Sequence, residues 1–101
     1  MKERYWKRIE KLERLCRKIN GLEMHGKERT GSNPIIFYFF YEETTAFEIQ
    51  IYENGYDGCR PDKEFELYLD CFSLEDYIRC KRYLKKLLKR MEKEENEAKL
   101  L

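Results

Sequence analysis

The spacing of apolar positions changes along this chain, and each change marks an element. From Lys2 to Asn20, apolar residues recur at helical spacings of four, three, four and three: Tyr5, Ile9, Leu12, Cys16 and Ile19, with Trp6 and Leu15 flanking the stripe. This predicts an amphipathic helix over about residues 2–20, stopped by Asn20-Gly21. On its polar side Glu3 and Lys7, Glu10 and Arg14, and Glu13 and Arg17 stand in acid-first i, i+4 order, each pair worth about 0.2 to 0.5 kcal/mol. After Pro34 comes an unbroken run, Ile35-Ile36-Phe37-Tyr38-Phe39-Phe40-Tyr41, closed by Glu42-Glu43. Too short for a helix and rich in β-branched and aromatic residues, it predicts a strand over about 34–41 that needs cover on both faces.

The pattern then becomes strictly alternating. Over about 46–53, Phe47, Ile49 and Ile51 oppose Glu48, Gln50 and Tyr52; over about 64–71, Phe65, Leu67, Leu69 and Cys71 oppose Glu64, Glu66, Tyr68 and Asp70. A short hairpin at Glu42 to Thr45 and a longer connection from Asn54 to Lys63, with Asn54-Gly55, Asp57-Gly58 and Pro61, join the three strands into a meander. Helical spacing returns after Ser73, which stands at an N-cap with Glu75 and Asp76 in the first turn. Tyr77, Cys80, Leu84, Leu87 and Met91 form its stripe, so the second helix is expected over about 74–93, with a frayed tail to 101. The fold predicted is an α+β, α-β-β-β-α two-layer sandwich, a three-stranded antiparallel meander with two helices on one face, as one small domain spanning 1–101.

This element order resembles that of a double-stranded RNA-binding domain. Those domains have a Lys-rich entry to the second helix and His and Pro contacts before the second strand. Here Glu75-Asp76 and Glu42-Glu43-Thr44-Thr45 stand at those places, so the resemblance covers topology and carries over no RNA-binding residue.

Charge adds what periodicity leaves out. The formal net charge of +1 hides a net +5 over residues 1–33, −9 over 34–76 and +5 over 77–101, so the sheet is acidic and both helices basic. No apolar signal region follows Met1 and no apolar stretch approaches the roughly 20 residues of a membrane span, which predicts a cytoplasmic chain without membrane attachment. In a reducing compartment Cys16, Cys59, Cys71 and Cys80 are expected as free thiols. They lack a Cys-x-x-Cys pair. Cys16, Cys71 and Cys80 fall on inner stripes and are expected in the core, leaving Cys59 exposed, so neither metal nor cofactor is expected.

His25 sits in a connecting loop, Leu22 to Asn33, with no nucleophile or carboxylate at a hydrolase spacing. No Gly-rich phosphate loop follows a strand, and the chain is expected not to be an enzyme.

Two surfaces remain as candidates for binding. An even-numbered first hairpin places Tyr41 opposite Ala46, Phe39 opposite Glu48 and Phe37 opposite Gln50. The outer sheet face then gathers Phe37, Phe39, Tyr41, Glu48, Gln50, Tyr52, Glu66, Tyr68 and Asp70, an acidic aromatic patch suited to a basic protein partner. On the last helix Arg79, Arg82, Lys86, Lys89 and Arg90 share an arc opposite the apolar stripe, with Lys81 and Lys85 at its border and no acid between Arg79 and Met91, a face able to neutralise phosphates; Tyr83 adds a ring for stacking.

Size, composition and the lack of catalytic residues resemble the small inhibitors and regulators of phages and mobile elements, the anti-CRISPR proteins among them. The resemblance implies occupation of a nucleic-acid channel by carboxylates, here Glu42, Glu43, Glu48, Glu53, Glu64, Glu66 and Asp70. The alternatives are direct DNA or RNA binding through the basic helix and a structural homodimer subunit.

Overall fold

The computed structural model describes the backbone of residues 3–21, 34–56 and 58–99, and the side chains of 5–21, 34–56 and 58–94. Residues 22–33 with His25, the Glu3 side chain of the expected Glu3–Lys7 pair, Asp57 and Leu100-Leu101 lie outside the described residues. Five elements follow in chain order: α1 (Glu3–Asn20), β1 (Ile35–Tyr41), β2 (Ala46–Tyr52), β3 (Lys63–Tyr68) and α2 (Leu74–Lys99). The strands form an antiparallel sheet in the order β1-β2-β3, giving the α-β-β-β-α fold that the alternating pattern predicts. Helix α1 packs on β1, α2 on β3, and the helices on each other.

The core lies between the helices and one face of the sheet. Ile9, Leu12, Cys16 and Ile19 of α1 and Tyr77, Cys80, Leu84 and Leu87 of α2 bury their stripes against Ile36, Phe47, Ile49, Ile51, Leu67 and Leu69. Tyr38 and Phe40, the inward residues of β1, are half-buried against this cluster, and Trp6 tilts over Phe40 at 5.0 Å between ring centroids. The uniform run of β1 thus sorts by register alone: even-numbered residues face the core and odd-numbered ones face out.

Helix α1 ends where Gly21 takes a left-handed φ of 79° and donates to the Lys18 carbonyl, a conformation that costs glycine nothing. Just before it, the Asn20 side chain accepts from the Ile36 N–H and donates to the Ile36 carbonyl, both at 2.8 Å, stapling the helix end to the edge of β1. The β1–β2 hairpin has four turn residues. Its last, Thr45, sits at φ 50°, and its hydroxyl lies 2.8 Å from the Asp70 carboxylate across the sheet end.

Three expectations change. Strand β3 ends at Tyr68, with one further backbone bond from Leu69 N–H to Thr45, because the chain turns at Asp70-Cys71 toward α2. Cys71 is therefore exposed, and the inner position is filled by Phe72, stacked on Tyr5 at 4.7 Å. Helix α2 does not fray after residue 93 but runs to Lys99, its last turns drawing on helix-forming Glu, Lys and Ala and on the Arg90–Glu94 pair rather than on an apolar stripe.

Candidate interaction face

The outer face of the sheet is ordered in cross-strand rows. Phe37, Gln50 and Glu64 form one; Phe39, Glu48 and Glu66 the next; Tyr41, Ala46 and Tyr68 the third. This is the even-loop register, and it brings Phe37, Phe39, Tyr41, Glu48, Gln50, Glu66 and Tyr68 onto one surface. Phe39, Tyr41 and Tyr68 are exposed at 44%, 46% and 42%, high values for large rings.

At its centre Glu48 and Glu66 are directly opposed, with Glu64 one row away. Like charges opposite one another destabilise a sheet. No described Lys or Arg lies within ion-pair distance of any of the three. Their polar neighbours are neutral instead. The Gln50 amide donates to Glu48 at 2.9 Å, and Glu48 and Glu66 push up the phenol pKa of neighbouring Tyr41 and Tyr68, through hydrogen bonding first and desolvation second.

Other residues expected here are placed differently. Tyr52 is on this side of β2 yet buried at 6%, because Phe37 and Tyr56 close over it edge-on, at centroid distances of 5.5 and 5.1 Å. Tyr56, from the β2–β3 connection, is 59% exposed and extends the aromatic patch. The alternation of β2 could not reveal it, since it lies in a turn-rich segment. Asp70 stands beyond β3, held to Thr45 at the sheet's end. Glu42 and Glu43 are exposed in the hairpin, whereas Glu53 accepts the Tyr83 hydroxyl and so belongs to the helix side.

The basic helix face is also less uniform than its sequence. Arg79 pairs with Glu75 at 2.6 Å, and Arg90 donates to the Glu53 carbonyl at 3.0 Å and reaches Glu94 at 4.0 Å, so acids flanking the basic run answer both of its ends. Arg82, Lys86 and Lys89 are exposed, with no described carboxylate in ion-pair range. Tyr83 is not available for stacking: half-buried, it meets Phe65 edge-on at 5.9 Å and is held by Glu53. Lys81 has its pKa lowered, mostly by Lys85, then by desolvation and by Lys11 of α1, so the positive surface spans both helices. The described residues hold no cluster of potential metal ligands and no helix long and apolar enough to cross a membrane.

No protein-family model matches the chain, and no curated protein and no solved structure matches it.

Proposed function

We propose that the protein is a non-enzymatic binding module that docks the acidic aromatic face of its sheet on a basic protein surface, of the kind that handles nucleic acid. The observation that carries this reading is the opposed Glu48–Glu66 pair, without a cation in ion-pair range among the described residues and set among exposed Phe39, Tyr41 and Tyr68. A fold gains nothing by facing two carboxylates across adjacent strands, while a cationic partner converts that cost into attraction and covers the rings. Aromatic anchors ringed by charge are the composition of protein interfaces. In this role the chain acts as an inhibitor or regulator, its carboxylates standing in for phosphates.

The alternative, direct nucleic-acid binding, draws support from Arg82, Lys86 and Lys89 together with the Lys11–Lys81–Lys85 surface. Retention on an immobilised basic nuclease and mobility of a random DNA duplex separate the two. On our reading Glu48→Lys with Glu66→Lys abolishes retention, Arg82→Glu with Lys86→Glu leaves it, and the duplex does not shift. A low-salt duplex shift that Arg82→Glu with Lys86→Glu removes would transfer the function to α2.

A further inference from the structure

The open edge of β1 borders the acidic face and shares Phe39 and Tyr41 with it. In antiparallel pairing alternate residues point their backbone groups at the neighbouring strand. The Ile51 carbonyl accepts from Asp62 N–H, so odd-numbered residues of β2 turn toward β3 and even-numbered ones toward β1. In the observed register Ile35, Phe37, Phe39 and Tyr41 therefore bond to β2, while Ile36, Tyr38 and Phe40 present N–H and C=O outward.

Both ends of that edge are closed. Ile36 is occupied by Asn20, Pro34 has no N–H, and beyond Tyr41 the chain enters the hairpin, where the Glu42 carbonyl accepts from Thr45. Among the described residues two rungs stay open, Tyr38 and Phe40. The strand that bears them has no charge, no internal proline and no irregularity in its pairing, the devices that normally protect an edge.

We infer that the β1 edge pairs with β1 of a second copy of this chain, joining two sheets into one of six strands. The edge is self-complementary. An isologous contact requires each strand to offer what the other lacks. With the two-fold axis at Phe39, Tyr38 of one copy meets Phe40 of the other and the reverse, so each open rung is satisfied and both Asn20–Ile36 staples stay in place. A one-rung slip would force a partner against Asn20 or into the hairpin. On the outer face Phe39 meets its own copy, and Phe37 meets Tyr41, which covers the exposed rings of Phe39 and Tyr41. Near the edge on the inner side, exposed Trp6 rests on Phe40. No charge on β1 opposes this contact, and Glu48 and Glu66 lie one and two strands further in.

Light scattering on a dilution series and disulfide trapping test the inference together. The parent chain, 12.5 kDa, is expected to move toward twice that mass as concentration rises. Phe39→Lys, which faces Glu48 within its own sheet but its own copy across the axis, keeps its melting temperature and runs as a monomer. In a Cys59→Ser, Cys71→Ser background, Phe39→Cys oxidised with glutathione disulfide cross-links to a dimer, because facing non-hydrogen-bonded residues have Cα atoms about 4.5 Å apart, within disulfide reach. A monomer at every concentration, a dimer that survives Phe39→Lys, or stronger cross-linking through Tyr41→Cys than through Phe39→Cys would overturn it. Because Glu48→Lys with Glu66→Lys leaves this edge intact, loss of nuclease retention in that variant and loss of the dimer in Phe39→Lys are separable results.

Discussion

The side-chain amide of Asn20 satisfies both backbone groups of Ile36, accepting from the N–H and donating to the carbonyl at 2.8 Å each. It imitates the peptide group of a neighbouring strand. The last residue of α1 thereby fixes where β1 begins relative to the helix layer and closes one rung of the sheet edge. Asn20→Ala is expected to cost about 1 to 3 kcal/mol, two hydrogen bonds' worth, read from urea unfolding. Asn20→Asp is the sharper test. Its carboxylate can still accept from Ile36 N–H, but its second oxygen faces the Ile36 carbonyl, an arrangement that favours the protonated acid and raises the introduced group's folded-state pKa. The stability of this variant should therefore be greatest below the ordinary carboxylate pKa of about 4 and fall as pH rises, a slope the Ala variant lacks. Equal pH profiles for the two would show that the amide geometry is not what holds the edge.

Tyr83 gives a prediction at the opposite end of the scale. Burial, and next the Glu53 carboxylate that accepts its hydroxyl proton, hold its pKa well above the ordinary phenol value. The folded state thus prefers the neutral ring. That contribution is complete below the unfolded-state pKa of about 10 and is lost as pH rises beyond it. Parent protein should lose stability between about pH 10 and 12 more steeply than Tyr83→Phe, measured by denaturant melts at stepped pH. Parallel profiles would separate Tyr83 from the alkaline transition.

Cysteine labelling tests the packing of the helices. Cys16 and Cys80 are fully buried; burial pushes the Cys16 thiol up to about 12, and Cys80 is raised by burial and then by Cys16 itself. In the native protein two thiols, Cys59 and Cys71, should react with a thiol reagent, and four after unfolding. Native labelling of Cys16 or Cys80 at the rate of Cys59 would mean that the two helices separate readily.

The two faces of the sheet should also respond differently to truncation. Phe47 is 2% exposed and Phe39 is 44% exposed. Phe47→Ala is expected to cost about 3 to 5 kcal/mol, Phe40→Ala less because its ring is half-buried beside Trp6, and Phe39→Ala about 1 kcal/mol or less. A thermal melt that reversed the order of Phe47 and Phe39 would exchange the faces.

How much of this was legible in the sequence follows from what each feature depends on. Alternation in β2 and β3 and the four-residue hairpin suffice for the register that pairs Phe39 with Glu48, because a period of two leaves only two choices and the turn length selects one. Cys71 escaped because the same period was carried past Leu69, whereas the strand's end is set by a turn at Asp70 that Thr45 anchors from across the sheet. Tyr52, Tyr83 and Arg90 escaped for a related reason. Each lies where its element's period puts it, but a group that covers or binds it, Tyr56 beside Phe37 for the first and Glu53 for the others, comes from the β2–β3 connection, whose course has no period to read. The acidic face was visible because it depends on β-strand alternation alone.

The opposed acids supply the last test, since a binding role and a structural role predict opposite trends. Glu48→Gln keeps a side-chain oxygen to accept from the Gln50 amide while removing one of two charges that face each other across β2 and β3. If the pair exists for binding, this substitution should stabilise the free protein by about 0.2 to 1 kcal/mol, a rise of a few degrees in melting temperature for a chain of this size. The gain should shrink as salt screens the repulsion in the parent. The same substitution should weaken retention on a basic partner, because the charge that strains the sheet is the one that attracts. A variant that melts lower than the parent at low salt would show that Glu48 is held by interactions the fold needs, and the case for this face as the docking surface would fall with it.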